Sequence, residues 1–125
     1  MSEPDPTPSD GDVVRAFFGA YTDQTPERFA AVVAEDYIDY GHEPPGRGPQ
    51  GARDDYDGAM KSVGAIRYEI DALVDDGDGR VAAVWTAQLP GTDEPFRGLG
   101  LYWVRDHLLA ETHHAIVGPI PRLFQ

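Results

Sequence analysis

The sequence contains no cysteine and a single lysine, and what it lacks already excludes several classes of protein. Without cysteine there is no disulfide framework, no thiolate metal site and no cysteine nucleophile. No apolar run approaches the roughly 20 residues that span a bilayer. The N-terminal segment has neither the basic region nor the apolar region of a secretory signal. We therefore expect a soluble, cytoplasmic protein with no membrane partner.

Basic residues are also scarce relative to acidic ones. Ten Lys and Arg residues stand against 22 Asp and Glu residues, which gives a formal net charge of −12. This charge repels phosphate backbones, so nucleic acid is not an expected partner. At 125 residues the chain has the length of a single domain with one core.

The N-terminal residues differ in composition from the rest of the chain. Residues 1–11 contain three prolines among small polar residues and show no apolar periodicity. We predict a disordered leader over 1–11 and one folded domain over residues 12–125.

Three helices are predicted in the first half of the domain. Apolar residues recur at helical spacing over residues 12–21, with Asp12 as the N-cap. Thr25 precedes a proline and an apolar face over residues 25–33, which indicates a second helix. A third, amphipathic helix is predicted over residues 48–64 and ends at a glycine.

The remaining periodic segments alternate apolar and polar residues, as strands do. A short strand is predicted over residues 36–42, and turn-forming residues separate four longer antiparallel strands. These four strands are expected over residues 65–76, 80–89, 95–105 and 108–118. Three helices against one face of a curved mixed sheet make an α+β cone, and the space between helices and sheet is the natural ligand site.

Three stretches, "DYIDYGHEPPGRGPQG", "DDGDGRVAAVW" and "GLYWVRDHLLAETHHA", together with the order of elements, resemble the SnoaL-like polyketide cyclases of the nuclear transport factor 2-like superfamily. The resemblance extends over about residues 12–117. It implies a cystatin-like α+β barrel, shaped as a cone and usually dimeric through the outer face of its sheet. It also implies ring closure of a polyketide in an apolar cavity, with no metal or organic cofactor. Relatives on this fold include ketosteroid isomerases, limonene epoxide hydrolases and binding domains.

The polar cluster at the end of the short strand supplies the first candidate catalytic residues. Alternate residues of a strand share a face, so Asp39 should lie opposite Tyr40 and His42. The family's Asp-His pair matches Asp39 and Tyr40, whereas an ungapped match to ketosteroid isomerases places Asp39 at their proton-abstracting aspartate. We favour the face with Tyr40 and His42, because Ile38 gives that face an apolar member suited to a pocket. The alternative is that the opposite face, with Asp39, lines the pocket.

The second cluster is the adjacent pair His113 and His114 in the predicted last strand. One of the two should project inward whichever register the strand adopts. Histidine titrates near neutral pH and both accepts and donates protons, so this is an expected acid–base position. Adjacent strand residues point apart, so the pair does not predict a metal site.

Aromatic and apolar residues are candidates for the substrate-binding wall, although the same side chains would also fill the core of a cone. The predicted substrate-binding residues are Phe17, Tyr21, Tyr56, Met60, Trp85, Leu101 and Trp103.

One departure from the family bears on mechanism. SnoaL-type aldol cyclases use an aspartate near the end of the last strand, and this chain has no Asp or Glu after Glu111. We expect a cyclase or isomerase that acts on a polyketide-like substrate, with histidine, tyrosine or Asp39 as the acid–base group. Two alternatives are a non-catalytic binding protein and an epoxide-opening enzyme that pairs Asp39 with an inward Arg67, Arg97 or Arg105. The closing "GPIPRLFQ" is predicted to cover the cavity mouth or to dock on a dimer partner.

Overall fold

The first helix begins inside the segment that the sequence predicted to be a leader. In the computed structural model of the protein, α1 (Asp10–Thr22) follows Ser9, which is the N-cap in place of the predicted Asp12. The Ser9 hydroxyl accepts the Asp12 amide at 3.0 Å, and the Asp12 carboxylate accepts the Ser9 amide at 3.1 Å. This reciprocal capping box satisfies two helix-terminal amides and explains the earlier start.

The structure describes residues 7–91 and 93–117. The prediction for residues 118–125, as a lid or a docking segment, lies outside the described residues, as do residues 1–6 of the predicted leader. Within the two described ranges, no helix has both the length and the apolar character needed to cross a membrane.

The second helical segment is shorter than the sequence predicted. It consists of a 3₁₀ turn (Pro26–Arg28) and the single turn of α2 (Phe29–Val32). Val33 was expected to be helical, but it adopts extended backbone and pairs with Leu109. Strand pairing therefore overrides the helical periodicity at this residue, which is β-branched and suits a strand. The third helix, α3 (Gly48–Ser62), lies where it was predicted.

Within the described residues, six strands form one curved sheet: β1 (Val33–Asp39), β2 (Gly46–Arg47), β3 (Arg67–Asp75), β4 (Arg80–Gln88), β5 (Phe96–Arg105) and β6 (Leu108–Val117). Their spatial order is β2-β1-β6-β5-β4-β3. Among the strand pairs that the structure describes, β1–β6 is the parallel one and the others are antiparallel. The two-residue strand β2 was not predicted. The first strand is displaced by three residues from its predicted position and ends earlier than expected.

One hydrophobic core lies between the helices and the concave face of the sheet. The ring centroid of Phe17 on α1 is 5.5 Å from that of Phe29 and 6.3 Å from that of Tyr37. Tilted and edge-to-face pairs of this kind add roughly 0.5–1.5 kcal/mol each beyond the burial of their area. The core thus fixes α1 against the strand that ends at the polar cluster. The fold is the predicted α+β cone.

Trp85 of β4 lies flat against the sheet because its cross-strand partner is Gly98 of β5. A Cβ atom at Gly98 would lie 2.0 Å from Cζ2 of the indole, closer than any real contact. The glycine therefore makes room for the largest side chain on the concave face.

Replacing Gly98 with alanine should destabilise the protein by about 1–3 kcal/mol, because the indole must leave its position on the sheet. Gly58→Ala is the matched control. Gly58 lies in α3, and no neighbouring atom lies within 4 Å of the position that an alanine methyl group would take there. Alanine at this position should therefore stabilise by about 0.5–1 kcal/mol. Urea unfolding of both variants measures the two changes. Equal effects of the two substitutions would contradict the steric explanation.

Candidate active site

A cavity of about 200 Å³ opens between the helices and the concave face of the sheet. Its wall is mainly aromatic, and the aromatic residues that line it are Phe17, Phe18, Tyr21, Tyr68, Trp85, Phe96 and Tyr102. The polar members of the lining lie close to one another. They are Asp39, His42, Asp55, Thr112 and His114.

Asp39 is the last residue of β1, and the chain turns directly after it. Its Oδ1 atom accepts the Gly41 amide at 2.8 Å, while the Tyr40 amide donates to the Thr112 carbonyl at 2.9 Å. The turn returns His42 to the side of Asp39, and the distance from His42 Nε2 to Asp39 Oδ2 is 3.3 Å. Asp39 and His42 therefore both line the cavity, although strict alternation would separate them.

His42 lies between two carboxylates. Its Nε2 atom is 2.8 Å from Oδ1 of Asp55 and also contacts Asp39. Ionised carboxylates only accept hydrogen bonds, so Nε2 carries the hydrogen that they share. The second oxygen of Asp55 accepts a hydrogen bond from the Tyr21 hydroxyl. These contacts join α1, α3 and the end of β1 into one polar network.

Thr112 stands beside Asp39 because the two residues are partners in the parallel β1–β6 ladder. Only 2% of Thr112 and 7% of Asp39 is exposed to solvent. The Tyr37 hydroxyl donates to Oγ1 of Thr112 at 3.1 Å. The Thr112 oxygen acts as the acceptor in that bond, so its own hydrogen is available to another group. A carboxylate and a hydroxyl donor are thus held side by side at the cavity wall.

His114 follows Thr112 by two residues and shares its face. Its ring centroid is 6.1 Å from that of His42 and 6.3 Å from that of Trp85. A Cβ atom at Gly41 would lie 2.3 Å from Cε1 of His114, so the imidazole occupies space that only glycine leaves open.

The expected face of the first strand is corrected by the structure. Tyr40, which was favoured as a cavity residue, lies on the outer face of the sheet with 47% of its surface exposed. Its ring stacks on that of His113 at 4.7 Å with an interplanar angle of 12°. His113 Nε2 contacts Glu111 at 2.9 Å on the same face. Strand alternation places Tyr40 and His113 outside because their neighbours Asp39 and Thr112 point inward.

The predicted substrate-binding residues divide into two groups. Three of them line the cavity: Phe17, Tyr21 and Trp85. The other four do not, and the prediction is corrected for them. Tyr56 is buried in the core, whereas the side chains at the surface are Met60, Leu101 and Trp103. Leu101 and Trp103 alternate with the inward Tyr102, which explains their position on the outer face.

The arginines considered for an epoxide-opening network are not at the cavity. None of Arg67, Arg97 and Arg105 is among the described lining residues. Arg105 forms a salt bridge with the exposed Asp36 at 2.5 Å. Within residues 7–91 and 93–117 there is also no group of three or more His, Asp or Glu side chains placed to hold a metal ion.

Burial governs the ionisation of the tyrosines around the cavity. Burial, followed by the nearby Asp55 carboxylate, raises the pKa of Tyr21 well above its usual value and that of Tyr68 to about 12. Burial likewise raises the pKa of Tyr37 and of Tyr102. These hydroxyls therefore stay protonated at neutral pH and act as donors or neutral walls.

Asp55 and Thr112 were not predicted as site residues, yet the sequence carried a signal for each. Asp55 is spaced three residues after Ala52 and four before Ala59, on the apolar face of α3, where a carboxylate is unusual. Thr112 shares its strand face with His114, so any register that turns His114 inward also turns Thr112 inward. Each signal can be read from residues that lie within four positions in the sequence.

Comparison with known proteins agrees with this architecture. The family model of the SnoaL-like domain matches residues 14–112. A sequence search of curated proteins finds no significant match.

Solved structures resemble the chain over most of its length. A protein of unknown function with a cystatin-like fold from Methylobium petroleophilum has a TM-score of 0.75 at 20% identity, covering 94% of this chain and 83% of that one. A SnoaL-like polyketide cyclase from Agrobacterium tumefaciens has a TM-score of 0.74 at 17% identity, covering 88% and 92%. IdmH from Streptomyces antibioticus, provisionally assigned as a polyketide cyclase, has a TM-score of 0.71 at 21% identity, covering 86% and 91%.

The cone of three helices on a six-stranded sheet is a nuclear transport factor 2-like, or cystatin-like, α+β fold. The chain belongs to the SnoaL-like domain family.

The raised tyrosine pKa values predict a loss of stability in alkaline solution. Below about pH 10 the hydroxyls are protonated in both the folded and the unfolded chain. Above that pH the unfolded chain releases their protons while the folded chain retains them, so the free energy of unfolding should fall between about pH 10 and pH 12. Tyr68→Phe removes one of these hydroxyls and should lose less stability over the interval. Urea unfolding measured at half-unit pH steps checks this, and an identical decline for both proteins would contradict it.

Proposed function

We propose that this protein is a cofactor-free cyclase or isomerase of natural-product biosynthesis that removes a proton next to a carbonyl of a polyketide-like substrate. One observation carries the proposal: the nearly buried Asp39 carboxylate stands beside the Thr112 hydroxyl in a mainly aromatic cavity. A base and a hydrogen-bond donor in that relation are what enolisation needs.

Asp39 acts as the general base. Each of its oxygens has one described partner, the Gly41 amide on Oδ1 and His42 Nε2 on Oδ2. A carboxylate has about four lone-pair sites, so room for an incoming proton is left on either oxygen. The two donors also hold the side chain in one orientation, which favours a fixed line of approach to a C–H bond.

Thr112 acts as the donor to the carbonyl oxygen. Tyr37 fixes the direction of the Thr112 hydroxyl by donating into its oxygen. When the carbon loses its proton to Asp39, negative charge moves from the carboxylate to the substrate oxygen, and a hydrogen bond from Thr112 strengthens at that moment. A pre-oriented donor of this kind requires no reorganisation during the step.

The remaining polar residues orient the base and return the proton. Asp55 holds His42 in place through its contact at Nε2, and the Tyr21 hydroxyl holds Asp55 by donating to its other oxygen. His114 lies across the cavity wall from His42, and its imidazole can both donate and accept a proton. We assign His42 to orientation of Asp39 and His114 to protonation of the product oxygen.

The same first step leads to either of two reactions. In an isomerisation, the proton taken by Asp39 returns to a different carbon of the enolate. In a ring closure, the enolate carbon attacks a second carbonyl of the same molecule, a C–C bond forms, and the new alkoxide takes up a proton. The aromatic wall contributes to closure by holding the two carbons near each other.

Exchange of carbon-bound hydrogen tests the proposal without the natural substrate. In D2O the protein should accelerate deuterium incorporation next to the carbonyl of 2-tetralone, a bicyclic ketone small enough for the cavity. Asp39→Asn should lower that rate at least roughly 100-fold, because general-base catalysis contributes on this order. Asp36→Asn is the matched control, since Asp36 is an exposed acid on the same strand and should retain the wild-type rate.

Two further substitutions belong to the same experiment. Thr112→Val should lower the exchange rate roughly tenfold, whereas Thr112→Ser retains the hydroxyl and should recover most of the rate. Circular dichroism of each variant establishes that it is folded. Exchange that is unaffected by Asp39→Asn would remove the proposed base. Binding of the ketone with no exchange above the solvent rate would favour the non-catalytic alternative.

We also propose that two copies of the chain associate through the outer face of the sheet. Leu101 and Trp103 are 56% and 42% exposed on that face, next to a concavity of about 360 Å³. Large apolar side chains grouped in this way are typical of a protein interface. Association of this kind would bury the stacked Tyr40 and His113 without closing the cavity on the opposite face.

Trp103→Glu should convert a dimer into a monomer, because each interface would then bury an added carboxylate against the partner's apolar surface. The control is Val63→Glu, which places the same charge at an exposed position after α3. Sedimentation velocity gives the mass of each protein in solution. A wild-type protein that sediments as a monomer at micromolar concentration would refute the proposed interface.

A further inference from the structure

We infer that the cavity binds a small ring-shaped molecule that is uncharged or carries an amine, and that it excludes molecules with a free carboxylate or phosphate. The inference rests on the proposed function only in taking this cavity as the substrate site. It follows from the charges, the rings and the volume of the cavity.

The charged groups at the cavity wall are acids. Asp39 and Asp55 both line it, and no lysine or arginine is found among the described lining residues. Binding of a carboxylate or phosphate in proteins generally depends on such a cation, most often arginine with its two parallel donors. An anionic ligand would instead meet two carboxylates and no described guanidinium or ammonium group.

Several of the described arginines are engaged elsewhere with surface acids. The salt bridges are Arg28–Asp23 at 3.1 Å, Arg53–Asp57 at 3.3 Å, Arg80–Asp76 at 3.2 Å and Arg105–Asp36 at 2.5 Å. A formal net charge of −12 makes the surrounding potential unfavourable to anions as well.

The histidines do not replace the missing cation. Nε2 of His42 already donates to Asp39 and Asp55, so that hydrogen is not available to a ligand carboxylate. Even a protonated His42 would leave one of the two acids uncompensated. His114 is then the single imidazole of the described lining that could face an anion.

The aromatic rings favour the opposite charge. Seven Phe, Tyr and Trp side chains are among the described lining residues, and the negative faces of their rings attract ammonium groups. A primary amine would also find Asp39 and Asp55 as acceptors. The same wall accommodates an uncharged ring by stacking, so neutral and cationic ligands share one site.

The volume limits the ligand to a small molecule. About 200 Å³ lies below the roughly 300–1,000 Å³ of sites that enclose drug-sized ligands. One or two fused rings with short substituents match this space. The reaction that supplies the substrate must therefore deliver a small molecule whose acid function has been esterified, converted to an amide or removed.

Three bicyclic ligands that differ in one substituent test the inference: 2-aminotetralin, 2-tetralol and tetralin-2-carboxylate. At pH 7.5 they present a cation, a neutral group and an anion on the same ring system. Isothermal titration calorimetry should show that the alcohol and the amine bind, and that the carboxylate binds at least roughly tenfold more weakly than the alcohol.

Two variants test whether the cavity carboxylates cause the weaker binding of the carboxylate ligand. Asp55→Asn removes one charge from the wall and keeps an acceptor for Tyr21. It should therefore reduce the difference in affinity between the alcohol and the carboxylate. Asp54→Asn is the matched control, because Asp54 is exposed on α3 and bonded to Gln50 at 2.8 Å. It removes the same charge from the protein and should leave the difference in affinity between the two ligands unchanged.

Each other outcome overturns the inference. A carboxylate that binds as tightly as the alcohol, or binding of none of the three ligands, would refute the ligand class. Equal effects of the two variants would refute the role of the cavity carboxylates. The proposed function fails separately. It is refuted if the protein binds the ligands in the expected order but does not catalyse exchange in the ketone. It stands if the protein catalyses that exchange but also binds the carboxylate.

Discussion

The parallel pairing of β1 with β6 is the constraint on which the site depends. Every other neighbouring pair in the sheet is antiparallel, and this one sets Asp39 directly beside Thr112. The hydrogen bond from the Tyr37 hydroxyl to Oγ1 of Thr112 links the same two strands within the core. A slip of one residue in β1 would turn Asp39 away from the cavity, and the same slip in β6 would turn Thr112 away, so the register determines which groups line the site.

The sequence predicted the fold more completely than the site. Long periodic segments such as α3 and β3 to β6 were recognisable because many residues repeat the same pattern. The site lies where such patterns stop. Strict alternation would separate Asp39 from His42, but the strand ends at Asp39 and the following turn brings both side chains to one cavity. Asp55 reaches the same place from α3, through contacts distant in sequence.

The polar network also explains how an acidic chain can hold carboxylates at a largely apolar cavity. An unpaired charge there would be costly, since desolvation favours its neutral form. Asp39 has an amide and an imidazole as donors, and Asp55 has an imidazole and a phenol. The donors come from the backbone, from histidine and from tyrosine. None of these donors is a permanent cation, and each carboxylate has a donor on both of its oxygens.

The strand order bears on how the candidate site is assembled. Tyr37 and Thr112 are separated by 75 residues, and the intervening chain forms α3 and four strands, β2 to β5, before β6 can join β1. Contacts so distant in sequence are slow to form, because closure of a long loop costs entropy before any contact offsets it. During synthesis on the ribosome, β1 must wait for β6 to emerge. Until then Asp39 and Thr112 are not side by side, so the candidate site is complete only when β6 has joined β1.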